Sequence, residues 1–262
     1  ENGAKNNRNE IEGKTISGRM DTIISDGSDM QNFTTLSWRT YRYVELSIET
    51  LDSPLVINDF YGTFTGYPFE MNASLESDVS ELQNIMEIGW RTARLCAVDT
   101  YMDCPYYEQM MYIGDTRLEV LTTYAINPDD RLPRKAITLY DLSRLTNGLV
   151  QARYSSRDVQ VIAPFSLWWI GMVYDYALWR GDPAFIAKML PGVRSVLDGF
   201  LAHVNADNLL KASAGWNFTD WVPGWRSGTG PMAEDGNSAL MDLHLLLALQ
   251  SAVTLEKTEG YV

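Results

Sequence analysis

The sequence predicts a mainly α-helical protein with an N-terminal β segment: the end of a β-sandwich-like domain over residues 1–71, then the first half of an (α/α)6 toroid over residues 72–262. Three observations carry this prediction. Thr40 to Ile48 is rich in aromatic and β-branched residues with a rough period of two. From Asn72 onward, apolar residues recur at helical spacing. The helical segments are joined by alternating short and long connections, the pattern of antiparallel pairs that build an α/α toroid.

Before Asn72, Leu55-Val56-Ile57 and Tyr61-Gly62-Thr63-Phe64 read as further short strands, broken by Pro54 and by Asn58-Asp59. So few strands cannot form an independent sandwich, and they read as the end of a larger β domain. Beyond it, Val79, Leu82, Met86, Trp90 and Ala93 share one helical face, with Ser77 or Asp78 as N-cap. A second helix is expected between Tyr106 and Tyr124, with Pro105 near its first turn. A third should span Pro133 to Gly148, capped from Asp129 or Asp130. The fourth covers Phe165 to Trp179 and stops at Arg180-Gly181. Asp182-Pro183 opens the fifth, which Pro191 should break or kink before it continues toward His203. Gly215 to Gly236 reads as a long loop, and a sixth helix follows from about Asn237 to Glu256. A six-hairpin toroid has twelve helices, of which this chain supplies about half.

Composition narrows the function. The formal net charge of −13 argues against a nucleic-acid partner, which needs clustered Lys and Arg, and fits a neutral substrate. No run of about eighteen uncharged apolar residues predicts a membrane span. The first residues, ENGAKNNRNE, lack the apolar centre of a signal peptide. Cys96 and Cys104 make no disulfide framework and belong to no metal-binding pattern, so neither a metal nor a cofactor is expected. Eight Trp and fourteen Tyr are many for this length. Most must be core, but aromatic platforms beside carboxylates are also how proteins hold sugars.

The densest chemistry lies in Asp103-Cys104-Pro105-Tyr106-Tyr107-Glu108-Gln109-Met110-Met111-Tyr112-Ile113-Gly114-Asp115. On a helix starting near Pro105, Glu108, Tyr112 and Asp115 share one face, with Asp103 just before it. Gathered carboxylates push their pKa values apart, which suits a proton donor beside hydroxyl acceptors. A plain N-cap at Asp103 and a helix-dipole charge at Glu108 explain the same residues. Trp168 and Trp169 point about 100° apart on their helix, so at most one lines a site. Asp175, His203 and His244 read as structural or surface groups. Glu234 and Asp235 precede the sixth helix, where acids need no catalytic reason.

The run Asp103-Cys104-Pro105, then Glu108, then Gly114-Asp115 resembles the signature of bacterial α-L-rhamnosidases of glycoside hydrolase family seventy-eight. Trp38-Arg39-Thr40-Tyr41-Arg42-Tyr43-Val44 resembles the strand before that family's catalytic barrel, and Asp220-Trp221 its Gly-Asp-Trp loop. The resemblance implies Glu108 as general acid and Asp103 and Asp115 as hydroxyl-holding carboxylates. Tyr107, Tyr112, Trp168, Asp220 and Trp221 would complete the sugar site, the aromatics walling the deoxysugar's methyl. Tyr112 stands where the family usually has Trp, and Tyr107 where an Arg is frequent. The implied reaction is inverting removal of a terminal α-L-rhamnose from a rhamnosylated glycan or glycoside. The implied location is periplasmic or secreted. No acid here matches the family's general base, so the chain alone is expected to be catalytically incomplete. Two alternatives stay open: another toroid glycosidase, acting on glucosides, fucosides or uronides, and a non-catalytic sugar-binding fragment.

Overall fold

The computed structural model describes residue 7, residues 9–213 and residues 215–258. Most of the polar N-terminal run and the Gly260-Tyr261-Val262 end lie outside them. The chain divides into two compact units, residues 1–65 and 66–262.

The described residues of the first unit contain no β-strand, which corrects the expectation for Thr40 to Ile48, 55–57 and 61–64. Leu46, Ile48, Val56 and Phe64, expected to alternate into a sheet, are exposed. A strand exists only through a neighbour that takes up its N–H and C=O groups, and no such ladder forms here. Local ties hold this unit instead, among them an Arg39–Asp21 ion pair at 3.0 Å.

The described residues of the second unit form six α-helices, α1 (Ser80–Leu95), α2 (Ile113–Ile126), α3 (Arg131–Leu142), α4 (Ala163–Trp179), α5 (Pro183–Leu201) and α6 (Ala239–Thr258), with one 3-10 turn at Arg226–Gly228. Residues 127–130 and 180–182 make short connections at one end. Residues 96–112, 143–162 and 202–238 make long ones at the other. Helices α2, α4 and α6 therefore run parallel as one layer, with α1, α3 and α5 antiparallel to them. Ring contacts agree: Tyr124 near the end of α2 meets Tyr176 and Trp179 near the end of α4.

Helix α4 is apolar on nearly every side, and a helix of that kind belongs inside. It packs against α2, α3, α5 and α6 and buries Trp169, Ile170, Met172, Val173 and Tyr176. Trp169 is fully covered and its Nε1 donates to the Ile137 carbonyl at 3.1 Å, which satisfies the one polar atom a buried indole carries. Asp182 caps α5, accepting from the Phe185 N–H at 3.1 Å, with Pro183 at the first helical position. Pro191 does not end α5, which continues to Leu201.

Two helices differ from expectation. Helix α3 stops at Leu142, where the Ser143 hydroxyl turns back to donate to the Tyr140 carbonyl and accepts from the Gln151 N–H at 3.0 Å. Helix α2 starts at Ile113 and leaves 105–108 as turns. Helix α6 is long and apolar enough to cross a membrane by composition. Its Met241, Leu245, Ala248, Ala252 and Leu255 are buried in this unit, while Leu243, Leu246, Leu247 and Val253 are exposed.

Candidate active site

The long connections place the expected site residues at the rim where α2, α4 and α6 begin. Residues 103–110 form a pinched loop. The Asp103 N–H donates to the Met110 carbonyl at 2.9 Å, and Asp103 Oδ1 accepts from the Met110 N–H at 3.0 Å. Inside the pinch, Gln109 Nε2 donates to the Pro105 carbonyl at 3.0 Å and the Glu108 N–H donates to Cys104 Sγ at 3.3 Å. Gln109 takes a left-handed backbone, φ 56°, which no helix passing through could contain. Glu108 is thus displayed on a turn, exposed, and not in a helix. The face shared by Glu108, Tyr112 and Asp115 does not exist as a helical face, because the pinch outcompetes the nucleation of a first turn.

The chain leaves the loop extended. Tyr112 bridges to Arg153 in antiparallel fashion and serves as the N-cap position of α2. Ile113 N–H donates to the Ala152 carbonyl at 2.9 Å. Asp115 then falls in the first turn of α2 and Glu119 one turn further.

These groups share one electrostatic field. Glu108 holds its proton above the usual carboxyl range, because burial, the Asp103 charge and a hydrogen bond to Asp103 all favour the neutral acid, opposed by Arg153. Asp115 is raised by desolvation, then by Asp103, against its own backbone hydrogen bond. Its surface stays open to solvent, yet the protein mass around it is enough to weaken its hydration. Glu119 is pushed up to about 9, mainly by burial, then by Asp115 and Asp103. Its Oε2 is buried with no hydrogen-bond partner. Burial raises the neighbouring Cys96 thiol to about 11. A carboxyl whose proton affinity is raised by burial and a neighbouring carboxylate is the kind of group general acid catalysis uses.

The aromatics reach this cluster by relay. Gly114 has no Cβ because Phe165 lies on it; an added methyl would stand 2.6 Å from Phe165 Cζ. Phe165 meets Phe218 edge-on at 5.9 Å, and Phe218 meets Trp216 at 5.1 Å and Trp221 at 5.2 Å. Trp221 itself is 69% exposed, an open apolar plate. Trp168 is part-buried, with the Arg117 guanidinium 5.0 Å from its ring and His244 edge-on at 6.3 Å. Arg117 Nε in turn donates to Asp175 at 2.7 Å.

Asp103, Glu108, Tyr112 and Asp115 share one electrostatic neighbourhood, whereas Trp168 contacts Arg117 and His244, and Trp221 contacts Trp216 and Phe218, neither ring touching these four residues. Tyr107 is exposed against Tyr106. The Asp220 carboxylate accepts from the Trp221 N–H at 2.7 Å, which makes it a turn-former in this arrangement. Asp175 is not a surface charge: it is buried and paired. Asp235 accepts from the Asn237 N–H and lies exposed with Glu234 before α6. Glu119 and Arg153 carry no motif signal, although Glu119 stands four residues after Asp115 on the same helix. Arg153 is separated from Tyr112 by 41 residues, and nothing local announces it.

Residues 70–253 match the family of the bacterial alpha-L-rhamnosidase 6 hairpin glycosidase domain. Among solved structures, the GH78 family rhamnosidase of Bacillus sp. GL1 is similar, at 30% identity and TM-score 0.68 over 75% of this chain and 20% of that one. A rhamnosidase from Klebsiella oxytoca, solved with rhamnose bound, shares the fold at 21% identity and TM-score 0.61 over 70% of this chain and 35% of that one. An alpha-L-rhamnosidase from Dictyoglumus thermophilum does so at 15% and 0.62, over 74% and 22%. This chain thus spans a fifth to about a third of the length of these three proteins. No curated protein sequence matches it. The family match covers well over half of the chain, including the pinched loop, the start of α2 and the aromatic connection before α6, and on that extent the chain belongs to the bacterial α-L-rhamnosidase six-hairpin glycosidase family.

Proposed function

We propose that the helical part of this chain carries the acid-bearing half of an inverting glycoside hydrolase that removes terminal α-L-rhamnose, with Glu108 as general acid. The observation that carries the reading is the Glu108–Asp103 neighbourhood on the pinched loop, in which partial burial and the neighbouring carboxylate raise the proton affinity of Glu108. Asp103 and Asp115 would accept sugar hydroxyls. Tyr112, Trp168 and Trp221 would surround the methyl, with Tyr107 and Asp220 at the margin. Inversion needs a second carboxylate roughly 6.5–9.5 Å away, with room for a water. No acid of this chain matches the family's general base, so the base is assigned to residues outside this cluster.

The same reading takes residues 72–262 as the first half of an (α/α)6 barrel, with residues 1–71 as a separate segment before it. The exposed Leu243, Leu246, Leu247 and Val253 of α6 support it, since a further hairpin would cover them. A second reading, a site for an acidic sugar, rests on Arg153 lying against Tyr112. Comparing aryl α-L-rhamnosides with aryl uronides separates the two.

The test of the acid is Glu108→Gln in the protein that contains this chain. Turnover should fall about 10²–10⁴-fold on substrates with poor leaving groups, and far less on activated aryl rhamnosides. Equal losses on both would mean that Glu108 does not donate the proton.

A further inference from the structure

The backbone delivers Arg153 to the site in register. Besides its bridge to Tyr112, the Ile113 N–H donates to the Ala152 carbonyl at 2.9 Å and the Tyr154 N–H to the Met111 carbonyl at 3.3 Å. The Arg153 guanidinium carbon lies 5.6 Å from the centre of the Tyr112 ring, and Nη1 donates to Tyr112 Oη at 3.1 Å. Its Nε is buried without a hydrogen-bond partner. Withdrawing a guanidinium from water is costly unless anions face it. Tyr112 from the start of α2 lies against it and Glu108 from the pinched loop is within its electrostatic reach, while Asp103 and Asp115 act on the same Glu108. Of the other two arginines of this connection, Arg144 is tied to Asp141 and to the Gly192 carbonyl, and Arg157 points to solvent and pairs with its neighbour Asp158 at 3.2 Å.

The proposed acid has a difficulty that Arg153 resolves. When Glu108 gives its proton to the glycosidic oxygen, the bond from that oxygen to the anomeric carbon breaks and its electron pair stays on the oxygen. The anomeric carbon takes the oxygen of a water, whose proton goes to the separate base. Glu108 is left as a carboxylate beside Asp103, where like charges repel. An acid that cannot tolerate its own anion is too weak to protonate anything.

We propose that Arg153 is a positioning residue for this reaction: it fixes Tyr112 through Nη1 and supplies the counter-charge for the carboxylate that Glu108 becomes. The inference rests on Glu108 as the proton donor. Burial and Asp103 set the upper bound on how tightly the proton is held, and Arg153 sets the release. A neutral residue at 153 removes the positive charge that opposes burial and Asp103 at Glu108, so the acid should titrate at higher pH.

The Glu108 carboxyl carbon can be followed directly by ¹³C NMR during a pH titration, with Glu108→Gln assigning its signal. Arg153→Gln should move the Glu108 midpoint upward, and Arg153→Lys, which keeps the charge, should move it much less. An unchanged midpoint in Arg153→Gln overturns the proposal. If that variant does not fold, Tyr112→Phe carries the test: it removes the acceptor of Nη1 while keeping the ring, and the midpoint should again rise; an unmoved one overturns the proposal. This readout needs no turnover, so a protein without rhamnosidase activity would refute the proposed function and leave the titration to judge Arg153. On an aryl α-L-rhamnoside, Arg153→Gln should lower kcat/KM roughly 10- to 100-fold, as for loss of a charge-assisted contact, and shift the alkaline limb of the pH profile upward. A loss with the limb in place would mean a merely structural arginine.

Discussion

Replacing Glu119 by glutamine isolates the consequence of burying a carboxyl beneath two others. The side chain as a whole is only partly covered, but Oε2 is fully buried and has no partner, and that oxygen decides which form is tolerated. In the folded protein the group keeps its proton to about pH 9, whereas its ordinary value is 4.5. Between those values the folded state binds a proton that the unfolded chain has released. Stability contributed by this group is therefore complete in acid and is lost as the pH rises, by up to about 1.4 kcal/mol per pH unit. Glutamine has the same shape and no proton to lose. Near pH 5 the two proteins should differ by less than about 1 kcal/mol, and near pH 7 Glu119→Gln should be the more stable by about 2 kcal/mol. Above about pH 9 the gap should stop growing, because the folded carboxyl then ionises as well. Urea unfolding followed by tryptophan fluorescence across this range measures the gap. Parallel curves for wild type and variant would refute the reasoning, since they would mean that Glu119 ionises in the folded protein as it does in water.

Two further substitutions probe the frame around the site. Gly171→Ala adds a Cβ 2.5 Å from Arg117 Cζ, so the guanidinium must leave both Asp175 and the Trp168 ring. Asp175 would then be buried without its partner, and the urea midpoint should fall by the equivalent of about 2 kcal/mol, below the full cost of a broken buried pair because Arg117 retains some exposure. A change under about 0.5 kcal/mol would show that Arg117 has room to spare. Asp182→Ala removes the cap of α5 and one partner of Arg134, and should lower Tm by about 2–4 °C at neutral pH. Arg134 and the Phe185 N–H hold the Asp182 carboxyl below its usual range. Its contribution is therefore present above that range and disappears as the pH falls through the depressed value, so the Tm difference should close in acid; a constant difference would contradict this.

Local signals were enough for much of the helical unit. The stop at Arg180-Gly181 and the start at Asp182-Pro183 need only the cap chemistry of a few adjacent residues, and both stand where the sequence places them. The all-round apolarity of α4 marks a central helix, and the rotation between successive residues separates buried Trp169 from part-exposed Trp168. The order Asp103, Glu108, Asp115 is also legible, and the family match spans the stretch that holds it.

What depends on partners far along the chain was not legible. The expected strands between Thr40 and Phe64 have the right residue types, but a strand is defined by its neighbour, and none is formed among the described residues. Pro105 reads as a helix start, yet the Asp103–Met110 pinch and the left-handed Gln109 claim the same residues first. The sequence by itself determined how many helices there are, roughly where they lie, and which acids sit at the rim. Only the tertiary structure decided that Glu108 rides a turn, that Asp175 is a buried partner of Arg117, and that Arg153 lies against Tyr112. The physical reason is the range of the forces involved: capping and apolar periodicity act within a turn or two of chain, whereas desolvation and charge pairing depend on which distant residues the packing brings within a few ångströms.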